Sequence, residues 1–295
     1  MGQVRTWHAE AKDIFNCEQA KKFKGRLLAL EDVYHSIDNQ ALKNNVKIKS
    51  VKLADSVKEI GNQSFYNCTA LREINLENVS QIRWESFLGC VHLKEITLSS
   101  GIRYLGRRSF SGCKRLNCVK FEKSTMLKGI EAGVFQNCES IEKISLPKGL
   151  TEIGNKAFYK CTSLKDIELP EGVQIIGNEA FYQTAIQEIK LPSTLTEIGN
   201  SAFLKCRSLE FVQIPASVKK IGRWCFHGCG KLKKVEFLGD PEEIGEWIIN
   251  KSTVIRCKKG SGIDAYCKEK EFQIEYIDED VIKNKETQES LDIYK

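Results

Sequence analysis

Residues 149–170 read GLTEIGNKAFYKCTSLKDIELP, and residues 194–215 return to the same pattern as TLTEIGNSAFLKCRSLEFVQIP. In both stretches an Ile-Gly pair precedes a phenylalanine. A cysteine follows three residues after the phenylalanine, and a leucine follows three residues after the cysteine. Self-similarity with a period of about 20 to 50 residues is typical of solenoids and other repeat architectures. The pattern therefore predicts a chain of stacked units in place of one or two ordinary domains.

The aromatic position of the pattern recurs at steps of 22 to 25 residues. It is occupied by Phe65, Phe87, Phe110, Phe135, Phe158, Phe181, Phe203 and Phe226. The position three residues later is occupied by Cys68, Cys90, Cys113, Cys138, Cys161, Thr184, Cys206 and Cys229. Degenerate units at both ends extend the repeat to about ten units over residues 25–257. Since no unit can bury its own apolar face, stacking in register is expected to bury these residues in continuous ladders.

Each unit is expected to contain the same local elements. The segment L-x-x-I-x-L predicts a short strand with alternating inward and outward side chains. A second apolar stretch ends in Ile-Gly, and at Gly61, Gly154 and Gly177 we expect a tight turn or a positive φ. Asn155 and its equivalents suit the N-cap of a short helical turn that carries the phenylalanine.

The two ends of the chain depart from the repeat. Residues 9–23 have helical periodicity, which predicts an N-terminal helical cap over residues 1–24. Residues 258–277 predict a C-terminal cap, with a short helix from Asp264 to Glu271 and a strand near Ile274–Ile277. Residues 278–295 are polar and charge-rich, which predicts a mobile tail. The unit around residues 121–126 is 25 residues long, which predicts a two-residue bulge there.

The repeated pattern L-x-x-I-x-L-P…I-G…A-F-x-x-C resembles the BspA-like leucine-rich repeats (the TpLRR type), over about four fifths of the chain. The resemblance implies an α/β repeat solenoid, a right-handed leucine-rich-repeat superhelix. Its units would be mostly short parallel β-strands with short helical turns. It also implies a protein-binding role, often at microbial cell surfaces.

Cysteine is the residue type that most invites a chemical role, because the chain has 12. Seven occupy the ladder, where a free cysteine packs as a small buried apolar side chain. Cys225, His227 and Cys229 lie close in sequence, with Cys257 and Cys267 downstream, but the spacing is looser than that of usual zinc sites. A disulfide between Cys257 and Cys267 is a further alternative. No cofactor is expected.

Sequence motifs of catalysis are absent, since the chain has no P-loop, no G-x-S-x-G and no G-x-G-x-x-G. We therefore predict that the protein is not an enzyme. The outward strand positions form an extended concave face that is expected to bind a protein partner. They are Glu73, Asn75, Glu95, Thr97, Lys120, Lys143, Asp166, Glu168, Glu188, Lys190, Phe211, Gln213, Lys234 and Glu236.

Acidic and basic residues balance on this face, which argues against nucleic acid as the ligand. Phe211 is its one outward aromatic residue and a candidate anchor. Two basic clusters, around residues 21–26 and 219–234, leave a polyanion role open, but no aromatic platform is recognisable beside them in the sequence.

The sequence leaves the compartment open. No apolar run is long enough for a transmembrane helix and no signal peptide is visible. Residues 1–6 match a short myristoylation pattern that often occurs by chance. We expect a monomeric interaction protein, at the cell surface according to the resemblance; the alternative is an intracellular scaffold or spacer.

Overall fold

The computed structural model describes residues 5–6, 14–122 and 126–277. The described chain is a parallel β-solenoid of about eleven turns, which confirms the predicted repeat fold. Its elements are, in chain order, β1 (Arg5–Thr6), β2 (Ile14–Phe15), α1 (Cys17–Lys22), β3 (Leu27–Ala29), β4 (Ser36–Ile37), β5 (Ser50–Lys52), β6 (Glu59–Ile60), β7 (Glu73–Ile74), β8 (Gln81–Ile82), β9 (Glu95–Leu98), β10 (Tyr104–Leu105), β11 (Cys118–Phe121), β12 (Gly129–Ile130), β13 (Lys143–Ser145), β14 (Glu152–Ile153), β15 (Asp166–Glu168), β16 (Ile175–Ile176), β17 (Glu197–Ile198), β18 (Phe211–Ile214), β19 (Lys220–Ile221), β20 (Lys234–Phe237), β21 (Glu243–Ile244), β22 (Val254–Cys257), α2 (Gly262–Glu269) and β23 (Gln273–Tyr276).

Each turn of the solenoid has three sides. The L-x-x-I-x-L segments form the front sheet, which consists of four hydrogen-bonded groups of strands: β1, β3, β5 and β7; β9 and β11; β13 and β15; and β18, β20, β22 and β23. The segments that end in Ile-Gly form the back sheet, with strands β2, β4, β6, β8, β10, β12, β14, β16, β17, β19 and β21. The third side, which we call the turn side, carries the ladder phenylalanines and cysteines and the residues that replace them, such as Thr184. Residues one unit apart pair in parallel register, as Ile153 does with Ile176.

Tight turns, not helical turns, form the turn side. Within one unit the backbone N–H groups of Tyr66 and Cys68 donate to the carbonyls three residues earlier. Gln63 and Asn67 have φ near +53° and +54°, which interrupts any helix. The intervening groups bond to the next turn, since the N–H of Phe65 donates to the carbonyl of Ser86 over 2.8 Å. The turn side is therefore a third hydrogen-bonded ladder, and the expected helical turn is wrong.

The glycine of the Ile-Gly pair recurs along the chain for a different reason from the expected one. Gly61, Gly154 and Gly177 do not have positive φ. A Cβ on Gly177 would lie 2.6 Å from the backbone N of Asn155, and one on Gly154 would lie 2.7 Å from the carbonyl O of Ile130. The glycine is needed because the backbone of the preceding turn passes too close for any side chain.

The asparagine after this glycine bonds between turns and does not cap a helix. The Oδ1 of Asn155 accepts the backbone N–H of Asn178 over 2.6 Å, and the Oδ1 of Asn178 accepts that of Asn200 over 2.7 Å. Asn200 continues the series to the N–H of Arg223 over 2.9 Å. The asparagines therefore link successive turns along one edge.

The core is one continuous stack between the three sides. Its ladder phenylalanines, from Phe65 to Phe226, are buried, with ring centroids 5.0–5.9 Å apart in consecutive turns. Aliphatic side chains of both sheets, such as Ile153 and Ile167, enclose the rings. The predicted aromatic ladder is therefore present through the repeat.

The N-terminal segment is less helical than predicted. Ile14–Phe15 is strand β2, which pairs with β4, and helix α1 covers only Cys17–Lys22. Phe15 is fully buried, so the burial of its ring in the stack outweighs helix propensity. Because β1 also pairs with β3, this segment is a further turn of the solenoid. Residues 1–4 and 7–13, with most of the myristoylation pattern, lie outside the described residues.

The C-terminal cap has the predicted order of helix and strand. Helix α2 begins two residues earlier than expected, at Gly262, and Asp240 of the preceding turn accepts the N–H groups of Gly262 and Ile263 over 2.8 and 3.0 Å. Strand β23 then adds to the front sheet beside β22. The predicted tail, residues 278–295, lies outside the described residues.

Both sheets are interrupted at the 25-residue unit, where a bulge was predicted. Among the described residues, β10 is not paired with β12, and β11 is not paired with β13. The turn side continues across this junction, since the N–H of Phe110 donates to the carbonyl of Val134 over 3.0 Å. The ring spacing of Phe110 and Phe135, 5.9 Å, is the longest of the phenylalanine ladder. Residues 123–125 of the predicted bulge lie outside the described residues, and the described sheets on either side of them form two blocks of turns.

Candidate partner-binding face

The outward positions of the front sheet line up in columns across the turns, as the alternation of side chains predicted. Lys143 is in register with Asp166, and Phe211 with Lys234. Most of the predicted face is exposed: Glu73, Glu95, Lys120, Lys143, Asp166, Glu168, Glu188, Lys190 and Phe211. A second group is half-buried: Asn75, Thr97, Gln213 and Lys234. Glu236 is buried.

Glu236 is a correction to the predicted face. Its side chain is only 2% exposed, because Gln213 donates to Oε2 over 2.6 Å and Arg256 donates to Oε1 over 3.0 Å. Arg256 belongs to β22, the strand of the last full turn, which repeat counting did not place beside Glu236. A buried carboxylate held by two donors is a structural group of the C-terminal end.

Asn75 has a structural role too. Its Oδ1 accepts the backbone N–H of Leu53 over 2.7 Å, and its Nδ2 donates to the carbonyl of Leu53 over 3.1 Å. Both ends of the amide are thus used to continue the pairing of β5 past the end of β7. Asn75 is therefore not available as a specificity group for a partner.

Ion pairs between strands restrain part of the charged face. Lys143 contacts Asp166 over 2.5 Å, and Lys234 contacts Glu275 of β23 over 2.6 Å. Side-chain hydrogen bonding to Asp166 raises the pKa of Lys143. Such exposed pairs add little stability, but a partner must break or extend them on binding.

Other charges of the predicted face have no ion-pair partner among the described residues. They are Glu73, Glu95, Lys120, Glu168, Glu188 and Lys190. These groups keep their hydration until a partner covers them, so they are the charges that can set orientation and specificity.

Depressions lie along the described front sheet, one toward each end. The N-terminal one has a volume of about 590 Å³ and includes Glu73, Glu95 and Lys120 in its lining. The C-terminal one has a volume of about 350 Å³, and Phe211 lines it together with Glu188 and Lys190. Phe211 is 43% exposed and lies opposite Glu188, so its ring offers an apolar contact beside charges that have no ion-pair partner in the described part of the chain.

The cysteine ladder makes a contact that the sequence did not reveal. Each ladder thiol donates to a main-chain carbonyl of the preceding turn: Cys68 to Leu42, Cys90 to Phe65, Cys113 to Phe87, Cys138 to Phe110, Cys161 to Phe135, Cys206 to Phe181 and Cys229 to Phe203, over 3.0–3.3 Å. Burial raises the pKa of the Cys68 thiol to about 12. Burial also raises the pKa of Cys90, Cys113, Cys138 and Cys161, so these thiols and that of Cys68 stay protonated at neutral pH and are poor nucleophiles and metal ligands.

The remaining cysteines do not assemble into a site. All 12 cysteines are free thiols, including Cys257 and Cys267, which are both buried. Burial raises the pKa of Cys257 to about 11 and that of Cys267 to about 12. His227 is exposed while Cys225 and Cys229 are buried. Within the described ranges, no three side chains of the types that bind metals come together.

Sequence reasoning missed an aromatic and basic surface on the turn side. Tyr159 and Tyr182 stack there with ring centroids 4.7 Å apart, and Trp224 and Trp247 are exposed. The signal was present, since both tryptophans follow Ile-Gly by two residues in consecutive units. It was overlooked because outward side chains were assigned only from the alternation of the front strands.

The comparisons with known proteins agree with the repeat. The family model for the BspA type leucine rich repeat region matches residues 35–152 and 128–256, with six copies of the repeat. The chain belongs to the BspA-type leucine-rich repeat family. Proteins with this family's fold are typically non-enzymatic interaction modules. No curated protein sequence matches this BspA-type repeat protein.

Solved structures share the fold. A leucine-rich repeat protein from Bacteroides ovatus is 23% identical, with a TM-score of 0.68, and the match covers 90% of this chain and 85% of that one. The pneumococcal vaccine antigen PcpA is 17% identical, with a TM-score of 0.51, over 94% of this chain and 84% of that one. Neither helix that the structure describes could cross a bilayer, since α1 and α2 are too short and too polar.

Proposed function

We propose that this BspA-type repeat protein is a non-enzymatic adhesion-type protein that binds a protein partner on its front sheet, centred on Phe211. The observation that carries the proposal is an exposed aromatic ring that lines a depression with Glu188 and Lys190, neither of which has an ion-pair partner among the described residues. Exposed apolar anchors ringed by polar groups are the usual centres of protein interfaces. The other outward residues of the front sheet would form a rim of alternating charges around Phe211.

A matched pair of variants tests the proposal. Phe211→Asp places a charge at the proposed centre, while Ile175→Asp places one on the back sheet, where Ile175 is similarly exposed (37%). A photo-reactive residue at position 211 or 175 should label a partner only from position 211. The labelled protein, once purified, should bind the wild-type and Ile175→Asp chains alike and bind the Phe211→Asp chain at least tenfold more weakly.

Two results would contradict the proposal. One is the absence of any saturable protein partner from extracts or matrix preparations. The other is an equal loss of binding for both variants, because binding would then not depend on the front sheet.

We further propose a microbial cell-surface location, supported by the family and by the likeness in fold to a pneumococcal vaccine antigen. Antibody labelling of intact cells of the producing organism should equal that of permeabilised cells. Labelling only after permeabilisation would favour an intracellular scaffold instead.

A further inference from the structure

One column of the turn side changes its chemistry along the solenoid. This turn column is the residue two positions after the ladder phenylalanine, or after its aliphatic equivalent in the end units. It reads Asn44, Asn67, Gly89, Gly112, Asn137, Lys160, Gln183, Lys205, Gly228 and Lys251. The first five positions are uncharged, and the last five place a lysine in every second turn.

The lysines of the turn column lie over aromatic rings. The Nζ of Lys160 is 5.4 Å from the ring centroid of Tyr159, and that of Lys205 is 5.9 Å from Tyr182. Neither lysine has an ion-pair partner among the described residues. A cation–π contact restrains each side chain without neutralising its charge, so both ammonium groups remain able to bind an anion.

Two tryptophans continue this surface toward the C-terminus. Trp224 and Trp247 occupy the same position in consecutive turns, with φ of 57° and 54° and exposures of 41% and 47%. The guanidinium of Arg223 lies 4.9 Å from the centre of the Trp224 ring. The positive φ is shared by this position in other turns, as at Lys156 and Glu179, so it is part of the repeat. The exposure of two neighbouring indoles is the departure, because exposed indoles forgo apolar burial, and it indicates a surface kept for binding.

The charge of this surface is positive. Lys160, Lys205 and Arg223 have no carboxylate partner among the described residues, whereas Glu179 is paired with Lys156 over 3.5 Å. Lys251 lies 3.9 Å from Glu271, and Glu246 is the other carboxylate nearby on the turn side. Cations therefore outnumber carboxylates, and the surface suits an anionic ligand.

We infer that the turn side from Lys160 to Trp247 binds a linear acidic polysaccharide that carries one carboxylate per disaccharide. Consecutive lysines of the column are two turns apart, on the order of 10 Å at the spacing of neighbouring strands. That is about the length of a disaccharide in an extended chain. The carboxylates pair with the lysines, and the apolar faces of the sugar rings pack on the exposed indoles.

The same geometry argues against a single-stranded nucleic acid on this surface. Such ligands need aromatic faces on which bases stack. Tyr159 and Tyr182 cover each other at 4.7 Å and leave no gap for a base. A nucleic acid also carries a charge at every nucleotide, while the column offers one lysine in two turns.

Binding of a hyaluronan oligosaccharide to the full chain tests the inference. Calorimetry should show saturable binding that weakens as salt screens the lysines. The double variant Lys160→Gln/Lys205→Gln should bind roughly tenfold more weakly, since two exposed ion pairs are lost. Trp224→Ala/Trp247→Ala should weaken binding by a similar factor through lost ring contacts. Unchanged circular dichroism shows that each variant is folded.

The matched control is Lys94→Gln/Lys120→Gln, which removes the same charge from exposed lysines of the front sheet. It should leave hyaluronan binding unchanged. An equal loss in this control, no saturable binding, or tighter binding of oligo-dT than of hyaluronan would each overturn the inference. The Phe211→Asp variant should still bind hyaluronan. Glycan binding on the turn side and protein binding on the front sheet are thus tested independently, and either proposal can fail without the other.

Discussion

Cys161 donates its thiol to the main-chain carbonyl of Phe135 in the preceding turn, over 3.0 Å. The same carbonyl accepts the backbone N–H of Cys138 over 3.1 Å. The thiol is therefore both a small apolar group in the core and a donor between turns. Alanine at this position would lack the donor, and valine would lack it while adding bulk, which explains why the repeat uses cysteine.

Replacement of Cys161 by alanine should lower the free energy of unfolding by about 1–2 kcal/mol, because a buried contact and a hydrogen bond are both lost. Cys118 is half-buried on the front sheet and makes no such bond, so Cys118→Ala should change stability by less than about 0.5 kcal/mol. Urea unfolding followed by circular dichroism measures both. Equal effects would show that the inter-turn bond does not contribute.

Alkaline pH should destabilise the solenoid. Burial raises the pKa of the Cys68 thiol from its ordinary value of 9.0 to about 12, and it also raises that of Cys90 and Cys138. Below pH 9 both states keep the proton and stability is fully present. Between about pH 9 and 12 the thiol loses its proton only in the unfolded chain, so the free energy of unfolding falls by about 1.4 kcal/mol per pH unit for each thiol.

The measurement is the urea midpoint at about pH 8 and about pH 10. Cys68→Ala should show a smaller drop between the two than the wild-type chain, although it starts from a lower stability. An identical drop would mean that the buried thiols are not the groups responsible.

Gly177→Ala should destabilise the protein by roughly 1–3 kcal/mol, because the new Cβ would lie 2.6 Å from the backbone N of Asn155 and force the turns apart. Gly230 is the control, since nothing lies within 4 Å of its Cβ position and its φ is not positive. Gly230→Ala should be neutral or slightly stabilising. Thermal unfolding compares the two, and similar melting temperatures would refute the proposed collision.

Asn178→Ala should remove about 1 kcal/mol of stability, because the N–H of Asn200 loses its acceptor. Asn178→Asp keeps an oxygen at the same place and should be closer to the wild type. Hydrogen exchange at the amide of Asn200 reports the bond directly. Faster exchange in both variants, or in neither, would show that the Oδ1 of Asn178 is not what protects it.

The sequence was sufficient for the fold because the repeat constrains every unit in the same way. The steps between Phe65 and Phe226 gave the register of the central turns, and alternation within L-x-x-I-x-L placed the outward columns of the front sheet. The spacing predicted about ten units and missed the N-terminal turn that contains Phe15. These inferences depend on spacing alone, and spacing is visible in a sequence.

The errors arose where contacts between different turns decide the outcome. Glu236 is covered by Arg256, a residue of the degenerate last unit, so its burial had no signal in its own repeat. The role of Gly177 depends on the path of the preceding turn, which local propensity does not describe. The surface around Trp224 and Trp247 was missed because the turn side contains residues in the left-handed backbone conformation. Its side chains therefore do not alternate inward and outward as they do along a strand.

The interruption of both sheets between β10 and β12 and between β11 and β13 bears on how the molecule unfolds. In a solenoid, cooperativity passes only between neighbouring turns, so the weakest boundary limits how far it extends. Across this boundary the described hydrogen bonds are those of the turn side, such as Phe110 to Val134. Heat should therefore melt the protein in two separable steps, one block of turns at a time, so a single melting temperature would not describe the whole chain.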